Sequence, residues 1–309
     1  MTITQEAAVQ ETITPDGRTI GGVLMEMRNI TLRFGGVVAI EDITFDIRQG
    51  EIRAIIGPNG AGKSSMLNVI NGFYHPQDGE VWYKGAIRGP MRPHQIAAQG
   101  IARTFQNIAL FHGMSTLDNI MTGRLTHMKT GMLSQSVWFG SAQREETENR
   151  AFAERIVDFL EIQSIRKTPV GRLPYGLQKR VELGRALAAE PSLLLLDEPT
   201  NYLDLEGVVW LEAFLAKYRH TALVISHDRQ LLNRSVTSIL HLINCKFAYY
   251  TGSYDQFDAE RRMKLEQQQS MAFKQEAQRK HIQSFVERFR YKASKARQAQ
   301  SRLKQLEKM

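Results

Sequence analysis

The stretch Gly57-Pro58-Asn59-Gly60-Ala61-Gly62-Lys63-Ser64-Ser65 restricts the fold more than any other part of this chain. It fits the spacing G-x-x-x-x-G-K-[ST]. The apolar run EIRAII leads into it, and the helix-like KSSMLNVINGF follows. Glycines at these positions let consecutive backbone N–H groups converge on one point, and the start of a helix adds the positive end of its dipole. A strand, a glycine loop and a helix in that order predict an α/β sheet whose ligand lies beyond the carboxyl ends of the strands. In such a loop Lys63 reaches the β- and γ-phosphates of a nucleotide, and the Ser64 hydroxyl can ligate Mg²⁺.

A second run strengthens the first. Leu193, Leu194, Leu195 and Leu196 form four consecutive aliphatic residues that end in Asp197 and Glu198. On its own this reads as a buried strand whose solvated end is acidic. Behind a phosphate loop, the same carboxylates fall at the sheet edge where the ligand sits. Asp197 is then expected to hold Mg²⁺ through water, and Glu198 to act as general base on the attacking water. His227, in VISHD, follows a third apolar strand, TALVISH.

The rest of the chain narrows the class. Of 309 residues, 42% are hydrophobic and 23% charged, which predicts a globular protein rather than a disordered one. The single cysteine, Cys245, excludes a disulfide framework and a multi-cysteine zinc site. No apolar run approaches the roughly 20 residues of a membrane span, and the N-terminus lacks a basic patch and an apolar segment. A cytoplasmic location is expected, with peripheral attachment at the inner face of the cell membrane as a variant. Residues 1–23 read as a flexible leader interrupted by Pro15, Asp16 and Gly21-Gly22. Strands are predicted at VLMEMRNITLRF, VVAI and ITFDIR, and mostly helix over about 107–177. Beyond Gly252 there is neither Gly nor Pro, which predicts a long polar helix or a pair of helices over 253–309, with a sparse packing stripe at Ile282, Phe285, Val286 and Phe289. From Arg279 to Met309, ten Lys and Arg face only Glu287 and Glu307, so this segment carries the whole net charge of +8.

In order and spacing, these elements resemble the ATP-binding cassette (ABC) ATPases. The resemblance implies a RecA-like core, an antiparallel β subdomain near 24–50 and a helical subdomain near 107–177, together a nucleotide-binding domain over 24–252. It also implies ATP as ligand and Mg²⁺ as cofactor, bound by Gly57 to Ser65. Phe34 matches the aromatic that stacks on adenine, and Gln106 in RTFQN the glutamine that completes the Mg²⁺ shell. Asp204 in NYLDL matches the loop that crosses to a second cassette, and His227 the histidine at the γ-phosphate. The signature motif departs from L-S-G-G-Q: here it is Leu173-Pro174-Tyr175-Gly176-Leu177-Gln178. Pro174 supplies neither hydroxyl nor N–H to an opposing nucleotide, whereas Gly176 is kept. Two identical copies would weaken both shared sites. A different cassette as partner could leave one complete.

Two branches of the family are represented. Residues of about 24–199 resemble the ATP-binding subunit of branched-chain amino-acid importers, through LRFGGVVAIEDITFDIRQGEIRAIIGPNGAGKSS, GIARTFQNIALFHGMSTLDNIMTG and LPYGLQKRVELGRALAAEPSLLLLDEP. Residues of about 193–309 resemble the ABC-F ATPases that act on ribosomes, through NYLDLEGVVWLEAFL, LVISHDRQLLN, YYTGSYDQFD and RFRYKASKARQAQSRLKQLEKM. The join falls at LLLLDEP, the stretch most alike in both, which points to a hybrid chain. The first resemblance implies permease subunits as partners and energised import. The second implies a soluble ATPase that reaches ribosome or tRNA through its basic helix, a truncated form of the ABC-F linker. A third reading is a hybrid that binds ATP without a physiological partner.

Overall fold

The computed structural model describes residues 12–14, 17–105, 108–128 and 141–289. Compactness divides the chain into two units, 1–254 and 255–309.

In the first unit, a six-stranded sheet forms around the phosphate loop. Its strands are β5 (Ile52–Ile56), β8 (Ile101–Thr104), β9 (Leu193–Asp197), β10 (Thr221–Ile225), β11 (Ser238–Ile243) and β12 (Lys246–Thr251), in the spatial order β12-β11-β5-β10-β9-β8. All pairings are parallel except β11 with β12. Every residue of β5, β9 and β10 is buried. That is why these strands read as unbroken apolar runs rather than as alternating ones.

A four-stranded antiparallel sheet packs alongside, built from β3 (Val23–Phe34), β4 (Val37–Arg48), β6 (Asp78–Tyr83) and β7 (Ala86–Arg88) in the order β4-β3-β6-β7. VVAI and ITFDIR, expected as separate strands, are one strand. Asp42 sits between them at φ 47°, and the irregularity is pinned by its N–H to Thr31 Oγ1 (3.1 Å) and by Asn29 Nδ2 to its carboxylate (2.8 Å). β1 (Thr12–Ile13) and β2 (Thr19–Ile20) lie inside the stretch expected as leader and pair antiparallel, which corrects that reading for these residues. The physical reason is Arg18, 2% exposed. It donates to the carbonyls of Leu215, Ala216 and Tyr218 at the end of a helix, where the last carbonyls lack a full set of intrahelical donors.

Helices α1 (Lys63–Ile70) and α2 (Pro93–Ala98) accompany the sheets. α3 (Thr116–Met121), α4 (Ser141–Phe159) and α5 (Tyr175–Ala188) form a separate apolar cluster with Leu117, Ile120, Val157, Leu160 and Val181 at its centre, as expected for a helical subdomain. α6 (Leu205–Lys217) and α7 (Arg229–Ser235) cover the central sheet. The second unit is dominated by α8, which begins at the boundary (Tyr254–Phe289) and is polar on nearly all sides, with Ile282 buried. Among the described residues no helix is long and apolar enough to cross a membrane.

Candidate functional site

Parallel strands direct their carboxyl ends to one edge of the sheet. β5 delivers Gly57, β9 delivers Asp197 and Glu198, and β10, lying between them, delivers Ser226 and His227. Those three ends bound a cleft of about 470 Å³. It is lined by Phe34, Asn59, Gly60, Gly62, Lys63, Ser64, Ser65, Asp197 and Glu198, with Ala39 and Ile225 at the back.

The loop has the shape its glycines predict. Gly62 stands at φ 102° at the start of α1, and a Cβ there would lie 2.5 Å from the Ala39 carbonyl oxygen. A Cβ at Gly57 would lie 2.4 Å from the Leu242 carbonyl oxygen. Gly60, at φ 79°, faces open space. Pro58 and Ala61 complete the turn, the Ala61 N–H bonding to the Pro58 carbonyl. The Lys63 ammonium curls back over the loop and donates to the carbonyls of Gly57 (2.7 Å) and Pro58 (3.0 Å). Burial pulls it below the ordinary lysine range, and the nearby carboxylates of Glu198 and Asp197 partly offset this.

At the opposite wall, the strand ends and Glu198 turns away at φ 46°, its N–H bonded to the Ile225 carbonyl (2.9 Å). A non-glycine residue in this region stores strain, and the result is a fixed carboxylate at the cleft. Glu198 Oε1 lies 3.3 Å from His227 Nε2. Burial pushes the Glu198 carboxyl above the usual carboxylate range. His227 and Lys63 pull it back, and Asp197 adds to the rise. A carboxylate raised in this way is a stronger base than an ordinary one and so better suited to accept a proton.

Ser64 and Asp197 share the cleft, and the donor set of one hydroxyl and one carboxylate suits a hard cation that keeps waters and takes phosphate oxygens. Among the described residues no group of three or more His, Cys, Asp and Glu forms an all-protein metal cage. Phe34 is 45% exposed at the mouth and meets Tyr74 edge to face at 5.0 Å, leaving an aromatic surface free to stack on a base.

Of the expected site residues that are described, Gly57, Pro58, Ala61 and His227 stand next to lining residues without being part of the lining, and Gly176 and Asp204 belong to a different place. Gly176 and Asp204 neighbour each other, since a Cβ on Gly176 would lie 3.8 Å from Asp204 Oδ1. Asp204 accepts from the Gly207 N–H (2.9 Å) and caps α6. Tyr175 and Tyr202 pack edge to face beside them at 5.5 Å. Gln106 lies outside the described residues.

Sequence reasoning missed Arg103. Its guanidinium pairs with Asp197 Oδ2 at 2.8 Å and donates to Asn68 Oδ1 at 2.6 Å, so Asp197 is held from β8 by an arginine that α1 itself fixes. The available signal was a charged residue inside the short strand IART beside the leucine strand, where a buried arginine requires an anionic partner.

Comparison with known proteins agrees with this geometry. The pattern described as ABC transporter matches residues 40–201, and a second one with the same description matches 240–309. The probable ATP-binding protein YheS of Haemophilus influenzae is 33% identical over 300 residues, covering 91% of this chain and 44% of its own length. The high-affinity branched-chain amino acid transport ATP-binding protein BraF of Pseudomonas aeruginosa is 32% identical over 225 residues, covering 72% of this chain and 88% of its own. This chain therefore spans less than half the length of the first relative and most of the second. Among solved structures, a nucleotide-free ATP-binding cassette from an ABC transporter superposes with a TM-score of 0.66 at 26% identity, over 77% of this chain and 94% of that one. The ADP conformation of the cassette MJ1267 gives 0.64 at 27% identity, over 75% and 92%.

Proposed function

This chain belongs to the ABC transporter ATPase family, and from that premise we propose that it binds ATP with Mg²⁺ in the cleft between the phosphate loop and the acidic strand end, hydrolyses it, and energises a branched-chain amino-acid importer. The observation that carries the nucleotide part is the convergence of Lys63, Ser64, Asp197 and Glu198 on one cleft from separate strands.

The amides of Gly57 to Ser65 cradle the phosphates. Lys63 exchanges its loop carbonyls for phosphate oxygens, a stronger charge-assisted pairing. Phe34 stacks on the adenine. Ser64, Asp197 and Gln106 would hold Mg²⁺, which would supply positive charge to offset the phosphates. Glu198 takes the proton of the attacking water, and His227 orients that carboxylate and meets the γ-phosphate. Gly176 and Asp204, outside this cleft, are the residues offered to a second cassette, so that each nucleotide is completed by the partner copy or by a different cassette.

Transport is supported by the 88% coverage of the branched-chain relative and by the helical subdomain over α3 to α5. Co-expression with permease subunits of a branched-chain importer tests it: a stable complex that couples ATP turnover to uptake is expected. Failure to co-purify with such permeases argues against it.

A second reading rests on a separate observation, the likeness to YheS over 91% of the chain together with the basic segment 279–309. In this reading the chain is an ABC-F-type ATPase working on ribosome or tRNA. RNA retention that weakens with rising salt and disappears when 279–309 is deleted supports it. Absence of RNA binding at low salt removes it.

A further inference from the structure

The helix that follows the signature segment, α5, carries a buried ion pair that the nucleotide chemistry does not use. Lys179 Nζ lies 3.3 Å from Glu182 Oε2, with the two side chains 7% and 1% exposed. Both grip the same residue on the end of β8. Lys179 Nζ donates to the Phe105 carbonyl at 2.7 Å, and the Phe105 N–H donates to Glu182 Oε1 at 3.3 Å. One turn further along α5, Arg185 donates to the Ala109 carbonyl. Residues 179, 182 and 185 recur every three positions, so a single face of α5 holds the backbone at both Phe105 and Ala109.

Phe105 lies two residues beyond Arg103, whose guanidinium carbon stands 5.3 Å from the centre of the Phe105 ring. Arg103 in turn pairs with Asp197 at 2.8 Å. The contacts therefore run without a gap from α5 to the acidic end of β9. Such a pair is costly to bury and contributes little net stability over apolar residues of similar size. Its geometry is better explained by what it fixes than by the energy it supplies.

We infer that Lys179 and Glu182 are positioning residues: by clamping both backbone groups of Phe105 they set Arg103 against Asp197, and so tie the magnesium dependence of nucleotide binding to the placement of the signature helix. The inference rests on the proposed nucleotide site for its second half only. The clamp itself is independent of any ligand.

The test uses the full chain and the double variant Lys179→Met/Glu182→Leu, which removes both charges together and so leaves no unpaired ion buried. Glu182→Gln, which keeps an oxygen for the Phe105 N–H, serves as the conservative variant. Hydrogen exchange of the peptide spanning 103–110, measured without nucleotide, is expected to accelerate at Phe105 at least tenfold in the double variant and less in Glu182→Gln. Equal exchange in parent and double variant overturns the clamp. Binding of a fluorescent ATP analogue is then titrated with Mg²⁺. Magnesium-free affinity is expected within twofold of the parent, with half-maximal enhancement at roughly tenfold higher Mg²⁺. An unchanged Mg²⁺ midpoint overturns the link to Asp197. If the parent binds no nucleotide, the proposed function and this link fall together, and the exchange result alone decides the clamp.

Discussion

At the residue scale, the proposed chemistry rests on Glu198 and His227. The carboxyl is raised by burial, while the neighbouring His227, 3.3 Å away, and Lys63 lower it and Asp197 raises it further. The base must be ionised to accept a proton, so turnover should fall as pH drops through a value above the usual carboxylate range. Replacing His227 by Gln removes a neighbour that lowers the Glu198 pKa. In His227→Gln the acid limb of the pH–rate profile should therefore move to higher pH, and maximal turnover should drop by roughly 10²-fold because the amide cannot place its N–H where the imidazole ring held one. A steady-state pH profile reads both effects. An acid limb that stays in place, or moves to lower pH, contradicts the coupling.

At the scale of elements, the phosphate loop and the start of α5 make opposite demands on substitution. Gly62→Ala meets the Ala39 carbonyl at 2.5 Å with φ at 102°, whereas Gly60→Ala, at φ 79°, meets nothing within 4 Å. Thermal unfolding should show Gly62→Ala destabilised by several kcal/mol and Gly60→Ala by only about 1–2 kcal/mol, the cost of the left-handed backbone alone. Pro174 occupies the N-cap of α5 and offers no side-chain cap. Pro174→Ser should add that cap, raising stability by about 1 kcal/mol in the same assay. It also restores a donor toward a second cassette, and steeper growth of ATPase activity with protein concentration would report it.

These elements also show what was legible in advance. The loop, the leucine strand and the strand before His227 carried their identity in local sequence, because burial on both faces leaves an apolar run and a ligand site leaves polar residues at its end. β6, β7 and β8 were not legible. They are short and mixed in character, and they exist through pairing with β3 and β9, which no local pattern records. Arg18 and Arg103 were hidden for the same reason, since each acts on a partner far along the chain. The leader reading gave way at Thr12 to Ile20 because a long-range anchor outweighs Pro15 and Gly17.

The whole molecule comprises two units with different characters. One is a cassette whose core converges on a cleft, and the other is a polar helix followed by a basic segment. Import or ribosome work depends on partners beyond this chain, but both depend on the same event in the first unit. Single-turnover ATP hydrolysis by the full chain and by Glu198→Gln, alongside their equilibrium ATP affinities with Mg²⁺, tests that event most directly. The account predicts hydrolysis slowed by at least 10²-fold in the variant with affinity within about threefold of the parent. Equal hydrolysis by both proteins, or no magnesium-dependent ATP binding by either, would contradict it.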